Sequence, residues 1–264
     1  MFWRERRGVM TEKKRISVSA RIIWQFLLIV TGLFTQQANV EAGEWGLGVA
    51  GVRYQPPLKG ANSESAMLPY IYYEGNRLSV DFQQISYRLI AGENFEFSVL
   101  GQLRLQGYDP GNNIALAGME KREPSIDAGF SATFSKDWGA LGIVAVTDVD
   151  DVHNGQEVDL FYSFPIPGRR WLLEPVLGVS WLSQDLVDYY YGVRASEAQP
   201  GRPEYQGHSA LNIFTEISLT YELTTHWFAF GGANYTFLDD SIRNNSIIES
   251  NHELTSFLGL VYVF

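Results

Sequence analysis

Carboxylates dominate the residues with chemistry to offer. Asp81, Glu96, Asp127, Glu157, Asp159, Glu174, Glu216 and Glu222, with Arg104, fall on the polar side of segments that alternate polar and apolar residues. On a strand, alternate side chains share a face, so these acids would line the inside of a closed sheet. There they either hydrate and cross-link a lumen or line a cation-favouring pore. A second acidic group, Asp148-Val149-Asp150-Asp151-Val152-His153, offers oxygen ligands of the kind Ca²⁺ takes, but without the EF-hand spacing. It reads as a solvated acidic turn. The histidines His153, His208, His226 and His252 lie apart, with no pair at zinc-ligand spacing. His208 and Ser209 are adjacent, which on a strand sends them to opposite faces. The chain has no cysteine, so thiolate sites, disulfides and a Cys nucleophile are excluded. No catalytic residue, cofactor or metal is expected, and the chain is expected not to be an enzyme.

The elements that position these residues begin with an export signal. Arg4, Arg6, Arg7, Lys13, Lys14, Arg15 and Arg21 precede an apolar run, Ile22 to Phe34, and Val40-Glu41-Ala42 places small residues at −3 and −1. This pattern is a secretory signal peptide over 1–42, with cleavage after Ala42. Its removal takes seven of 20 Lys/Arg and three of 30 Asp/Glu, leaving 13 against 27, a net of −14. Such a charge excludes nucleic acid as a natural partner.

Residues 43–264 alternate with period two in nearly every segment. Ile126, Ala128, Phe130, Ala132 and Phe134 oppose Asp127, Gly129, Ser131 and Thr133; Leu211, Ile213, Ile217 and Leu219 oppose Asn212, Glu216, Ser218 and Thr220. Short turns at 91–94, 135–138, 165–170 and 224–226 alternate with long loops at 108–124, 148–156, 183–209 and 238–253. Trp138, Trp171, Trp181, Trp227, Tyr235 and Phe237 sit at segment ends, as interfacial aromatics do. Apolar-out strands of about ten residues, with loops long at one end and short at the other, are the signature of a transmembrane β-barrel. The reading is an all-β, antiparallel up-and-down barrel in the outer membrane, with the lipid bilayer as its first partner. Eleven segments are visible and single-chain barrels have even strand numbers. Twelve strands are expected, ten being the alternative. The twelfth comes from splitting Leu78–Ile90, where the phase flips at Gln83-Gln84, or from 108–120, where a short helix around Ile114 to Met119 competes. A bulge is the simplest reading of the flip.

The final strand ends on Phe264. Leu258, Leu260, Tyr262 and Phe264 share one face, and Phe257, Gly259, Val261 and Val263 the other. A terminal aromatic on such a strand resembles the signal read by barrel-insertion machinery. Phe214 and Phe257 on inward faces suggest a filled lumen. Ser218 is nonetheless expected to border water and acids, where an added Arg would pair with Glu174 or Glu222.

At the longest loop, Trp181 is followed by Tyr189-Tyr190-Tyr191-Gly192-Val193, then Ser196-Glu197-Ala198 and Arg202-Pro203-Glu204-Tyr205. Together with Gly46-Leu47-Gly48, Met67-Leu68-Pro69 and Tyr262-Val263-Phe264, this resembles the MipA/OmpV family of Gram-negative outer-membrane proteins over essentially all of 43–264. The first loop departs from the family, reading Gln55-Pro56-Pro57-Leu58-Lys59-Gly60 where an acidic, tyrosine-rich stretch is usual. The resemblance implies a scaffold that links a lytic murein transglycosylase to a peptidoglycan synthase, and it carries over no catalytic residues. Short periplasmic turns leave a scaffold little surface, so a pore or uptake barrel for a small solute stands as the alternative.

Overall fold

The computed structural model describes residues 43–264. The signal peptide expected over 1–42 lies outside the described residues. Twelve antiparallel strands are formed: β1 (Glu44–Gln55), β2 (Glu64–Glu74), β3 (Leu78–Val80), β4 (Gln84–Ala91), β5 (Phe95–Arg104), β6 (Ser125–Lys136), β7 (Gly139–Asp148), β8 (Gln156–Ser163), β9 (Trp171–Leu182), β10 (Ala210–Glu222), β11 (Trp227–Phe237) and β12 (His252–Val263). Beyond Phe164-Pro165, β8 continues as Ile166–Pro167, paired with Leu172 and Leu173 of β9. Each strand pairs with the next in the chain. β12 returns to β1 from Gly46↔Val263 to Gln55↔Leu254, which closes the barrel. No described helix is long and apolar enough to cross a membrane.

The twelfth strand comes from the split of Leu78–Ile90. Asp81 makes it: its Oδ1 accepts the N–H groups of Gln83 (2.6 Å) and Gln84 (3.0 Å), while its own N–H donates to the Gln84 carbonyl (2.9 Å). An Asp that satisfies the backbone two and three residues on is a turn former. The phase flip is therefore a hairpin turn rather than a bulge. A register shift does occur further along β4, between Arg88 and Ile90. In 108–120 the expected helix contracts to two 3₁₀ turns, Pro110–Asn112 and Ile114–Leu116, started by Asp109 and Asn113 side chains that accept backbone N–H groups.

Face parity follows the alternation. On β10, Leu211, Ile213, Ile217 and Leu219 are exposed outward, while Asn212, Phe214, Ser218 and Thr220 are buried inward. Trp138, Trp171 and Trp227 stand at the short-turn end, Trp181, Tyr235 and Phe237 at the long-loop end. At the short-turn end Trp138 stacks on Tyr162 (6.1 Å), and Tyr262 meets both Trp227 (5.2 Å) and Phe264 (5.1 Å). These are two belts flanking an apolar band, the arrangement a bilayer selects. Leu258, Leu260 and Phe264 are exposed on that band.

The interior is packed. Phe161 faces Gly142, Phe214 faces Gly178, Phe230 faces Gly259 and Phe257 faces Gly232 across neighbouring strands. Each ring fills the space above its glycine; a Cβ on Gly142 or Gly178 would fall 1.9 or 2.3 Å from the ring. Tyr70, Tyr72, Val144, Phe228 and Val261 complete two buried clusters inside the wall. The hydrated surroundings expected for Ser218 are thus corrected: Ser218 and its cross-strand neighbour Glu174 are both buried, and Gly232, which opposes Ser218 on β11, lies under the Phe257 ring.

Candidate functional site

The expected lumenal acids point inward; Asp127 and Glu157 cross-link through Arg104, whereas both carboxylate oxygens of Asp159 are buried with no hydrogen-bond partner. Arg104 donates to Asp127 (2.8 Å) and is bound by Glu157, whose other oxygen accepts Ser180 Oγ (2.8 Å). Asp127 and Asp159 are fully buried, as is Glu174; Glu216 and Glu222 are half-buried, with Glu216 accepting from Asn234 (3.5 Å). A buried charge is tolerated when it is paired and hydrogen-bonded, as Arg104 and Asp127 are here.

Asp127, Asp148 and His153 converge, with ligand atoms within 4.8 Å of one another. Protein donors already meet these atoms. Asp148 accepts the N–H groups of His153 (2.6 Å), Asn154 (2.7 Å) and Asp150 (2.9 Å). His153 Nδ1 accepts the Gly155 N–H (3.0 Å), which leaves Nε2 as the donor to Asp127 (3.1 Å). The acidic stretch 148–156 is a turn knotted by its own backbone, and it ties the loop to the lumenal cluster.

The long-loop end is closed by a cap built largely from the Tyr-rich stretch. Helix α1 (Gln184–Tyr191) buries Leu186, Val187, Tyr190 and Tyr191, positions one helical face apart, against Leu182, Ala210, Leu238 and Ile242. Gly192 ends it: a Cβ there would fall 2.2 Å from the Asp188 carbonyl that accepts its N–H. Val193 and Tyr205 bridge backbone to backbone, and Tyr205 donates to the carbonyl of Ser241 (3.0 Å) in α2 (Asp240–Arg243). Tyr191 donates to Glu253 (2.7 Å) and accepts from Gln106 (2.8 Å). Arg202 holds the carbonyls of Glu197, Ala115 and Ala117. Pro203 is exposed, and Trp181 belongs to the lipid-facing belt rather than the cap. A second small core, from Leu58, Leu116, Met119, Val193 and Ile247, joins four loops. The first loop, despite its departure from the family, is strapped to the last: Lys59 donates to the Ile247 carbonyl (2.7 Å) and Glu249 to that of Pro57 (2.8 Å).

Arg122 is the cap's central polar residue, and nothing in its sequence neighbourhood marked it. It is fully buried, pairs with Glu197 through two contacts (3.0 and 2.9 Å), donates to the Tyr189 carbonyl (2.6 Å) and lies over the rings of Tyr108 and Tyr189. Burial alone would raise the Glu197 carboxyl. Hydrogen bonds from Arg122 and from the Glu120 and Arg194 N–H groups outweigh it and hold the carboxyl below its ordinary range.

Beneath the cap a cavity of about 360 Å³ survives in the long-loop half of the lumen. It lies between β1, β2 and β5 on one side and β11 and β12 on the other, and its lining includes Tyr54, Ala66, Gln84, Gln102, Asn234 and Glu253.

The family model described as MltA-interacting protein MipA matches residues 47–264. The chain belongs to the MipA family. YiaT of Escherichia coli K12, named as an outer membrane protein, is 27% identical over 86% of this chain and 94% of its own length. Omp26La of Vibrio anguillarum, also named an outer membrane protein, is 25% identical over 84% of this chain and 87% of its own. The MltA-interacting protein of E. coli K12 is 24% identical over 84% and 91%. Among solved structures, the chain is similar to the COG4313 outer membrane channel from Pseudomonas putida F1, at 11% identity and a TM-score of 0.45, covering 89% of this chain and 100% of that one. This member of the MipA family is an outer-membrane β-barrel. Its short turns face the periplasm and its cap faces outward, as barrels of this kind are oriented.

Proposed function

We propose that this barrel is a non-catalytic scaffold that holds a murein transglycosylase, and through it a peptidoglycan synthase, at the periplasmic face of the outer membrane. The observation that carries this reading is the filled lumen: Phe161, Phe214, Phe230 and Phe257 lie over glycines, and a loop core covers the outer mouth. A barrel packed like a protein interior gives up conduction and keeps rigidity and a fixed place in the membrane. The E. coli relative bears its partner, MltA, in its name. The exposed Arg169 and Arg170 of the turn between β8 and β9 offer a charged periplasmic contact. The test is binding of a purified MltA-type transglycosylase to the folded barrel in lipid nanodiscs. Saturable binding, weakened by Arg169→Ala with Arg170→Ala, is expected; no saturable binding to an intact, heat-modifiable barrel would contradict it.

The cavity under the cap favours a second reading, an uptake barrel for a small solute. Passage would require both the cap and the Phe layer to move aside.

A further inference from the structure

The barrel wall is interrupted beside β2. β3 is three residues long, whereas β2 has eleven and β5 ten. β2 meets β3 only at Tyr73↔Val80 and Glu74↔Ser79. Among the described residues, no strand lies against Glu64–Pro69 on the side away from β1. The Asp81 turn ends the β3–β4 hairpin early, and Gln83 accepts the Leu103 N–H (2.8 Å) to anchor that turn to β5. Above it a notch remains between β2 and the end of β5.

This notch is continuous with the cavity. The cavity lining includes Leu103 and Leu105, whose parity faces lipid, and Ala66, Gln102 and Asn234, whose parity faces the lumen. On the lipid side, Met67 is 73% exposed and Leu105 50%. An open sheet edge in hydrocarbon is not tolerated unless it lines a polar cavity or finds other partners. A polar donor awaits such a partner: Gln84 Nε2 is shut off from solvent and has no hydrogen-bond acceptor. A buried donor left in that state is a standing cost that an acceptor relieves.

The charges restrict the occupant. Arg104, at the inner wall, is committed to Asp127 and Glu157, and the remaining charged lining residues are Glu64 and Glu253. An anionic head would meet like charge with no free cation in the lining. We propose that the notch takes an uncharged, single-tailed amphiphile from the bilayer, its head oxygen accepting from Gln84 and its tail leaving past Met67 and Leu105. The volume, about 360 Å³, is that of a small-ligand site. This inference concerns binding, and it stands whether or not the scaffold reading does.

The test uses the folded full-length barrel in phosphatidylcholine vesicles with a monoacylglycerol carrying a diazirine in its tail. After illumination, mass spectrometry should find adducts concentrated in 64–68 and 102–106. Ala66→Trp, which fills the notch, should abolish them. Gln84→Leu, which removes the donor without adding bulk, should lower them about five- to tenfold, the worth of one hydrogen bond. A fatty acid bearing the same diazirine should label the notch less at pH 8. Each variant is first checked for heat-modifiable migration, and Gln84→Leu decides the matter if Ala66→Trp does not fold. Adducts spread over lipid-facing residues such as Ile213 and Ile217 in proportion to exposure, and unchanged by Gln84→Leu, would overturn the proposal. So would backbone protection of 64–69 that appears only when a protein partner is added, since the edge would then be a strand-docking site.

Discussion

The ring of Phe230 occupies the space a side chain on Gly259 would need. The two residues oppose each other across β11 and β12, and a Cβ on the glycine would fall 2.2 Å from Cζ. The Phe supplies the volume and the Gly makes room for it, a pairing that also rescues a glycine's weakness in a strand. Gly259→Ala should therefore cost about 1–3 kcal/mol by overpacking, and Phe230→Ala about 3–5 kcal/mol. Because the two compete for one volume, the double variant should be more stable than the sum of the singles by about 0.5–3 kcal/mol. Reversible urea folding into lipid vesicles measures all three; additive effects would mean the ring is not seated on the glycine.

The cap should loosen when Arg122 loses Glu197. Removing one partner of a buried ion pair costs about 3–5 kcal/mol, because the other charge is left uncompensated. Glu197→Ala should expose the loop 183–209 to proteolysis while the heat-modifiable barrel persists. Intact loops in the variant would show that the apolar cap core suffices alone.

The same contact sets a pH dependence. The Glu197 carboxyl is held below its ordinary range in the folded cap, so the unfolded loop binds more protons as the solution is acidified. The stabilisation is complete above the unfolded carboxyl value, about 4.3, and fades as pH falls through the lower folded value. Loop proteolysis with an acid-active protease should rise from pH 5 to pH 3 in the parent and be flatter in Glu197→Gln. Equal profiles would place the titration elsewhere.

Ile217 stands mid-strand on the lipid face, 50% exposed, and Ile213 lies closer to the outer end. Ile217→Arg should destabilise folding into vesicles by about 2–4 kcal/mol and Ile213→Arg by less, since the cost depends on depth. Equal costs would contradict the depths assigned to Ile217 and Ile213 on β10. Arg at Ser218, which the alternation alone made harmless, is now expected to be damaging by overpacking.

Phe264 is 68% exposed to lipid, so its burial there is worth only about 1.5–3 kcal/mol. If it is read as an assembly signal with Leu258, Leu260 and Tyr262, its deletion should leave unassembled, degraded protein in cells. Near-normal membrane levels would limit Phe264 to its packing.

Strand parity was legible because a closed sheet imposes period two on every strand, as Ile217 and Ser218 show. The cap was not. Helix α1 hides its apolar positions, Leu186, Val187, Tyr190 and Tyr191, in eight residues, too few for periodicity to stand out. Arg122 and Glu197 are 75 residues apart, and only the meeting of two loops makes them a pair. The Asp81 turn lacks Gly and Pro, so its phase flip suited a bulge equally well. The Gly–Phe pairs depend on register, which alternation leaves free by multiples of two. The notch exists because β3 stops after Val80, an early end that the alternation, which runs on to Phe82, does not show.

The most direct test of the filled-lumen scaffold is conductance of the purified, heat-modifiable barrel in planar bilayers. No stepwise openings are expected at neutral pH in 1 M salt, because Phe161, Phe214, Phe230 and Phe257 fill the lumen beneath a closed cap. Stable, reproducible steps from the unmodified protein, with a preference for cations set by the lumenal acids, would contradict that lumen and make this barrel a pore.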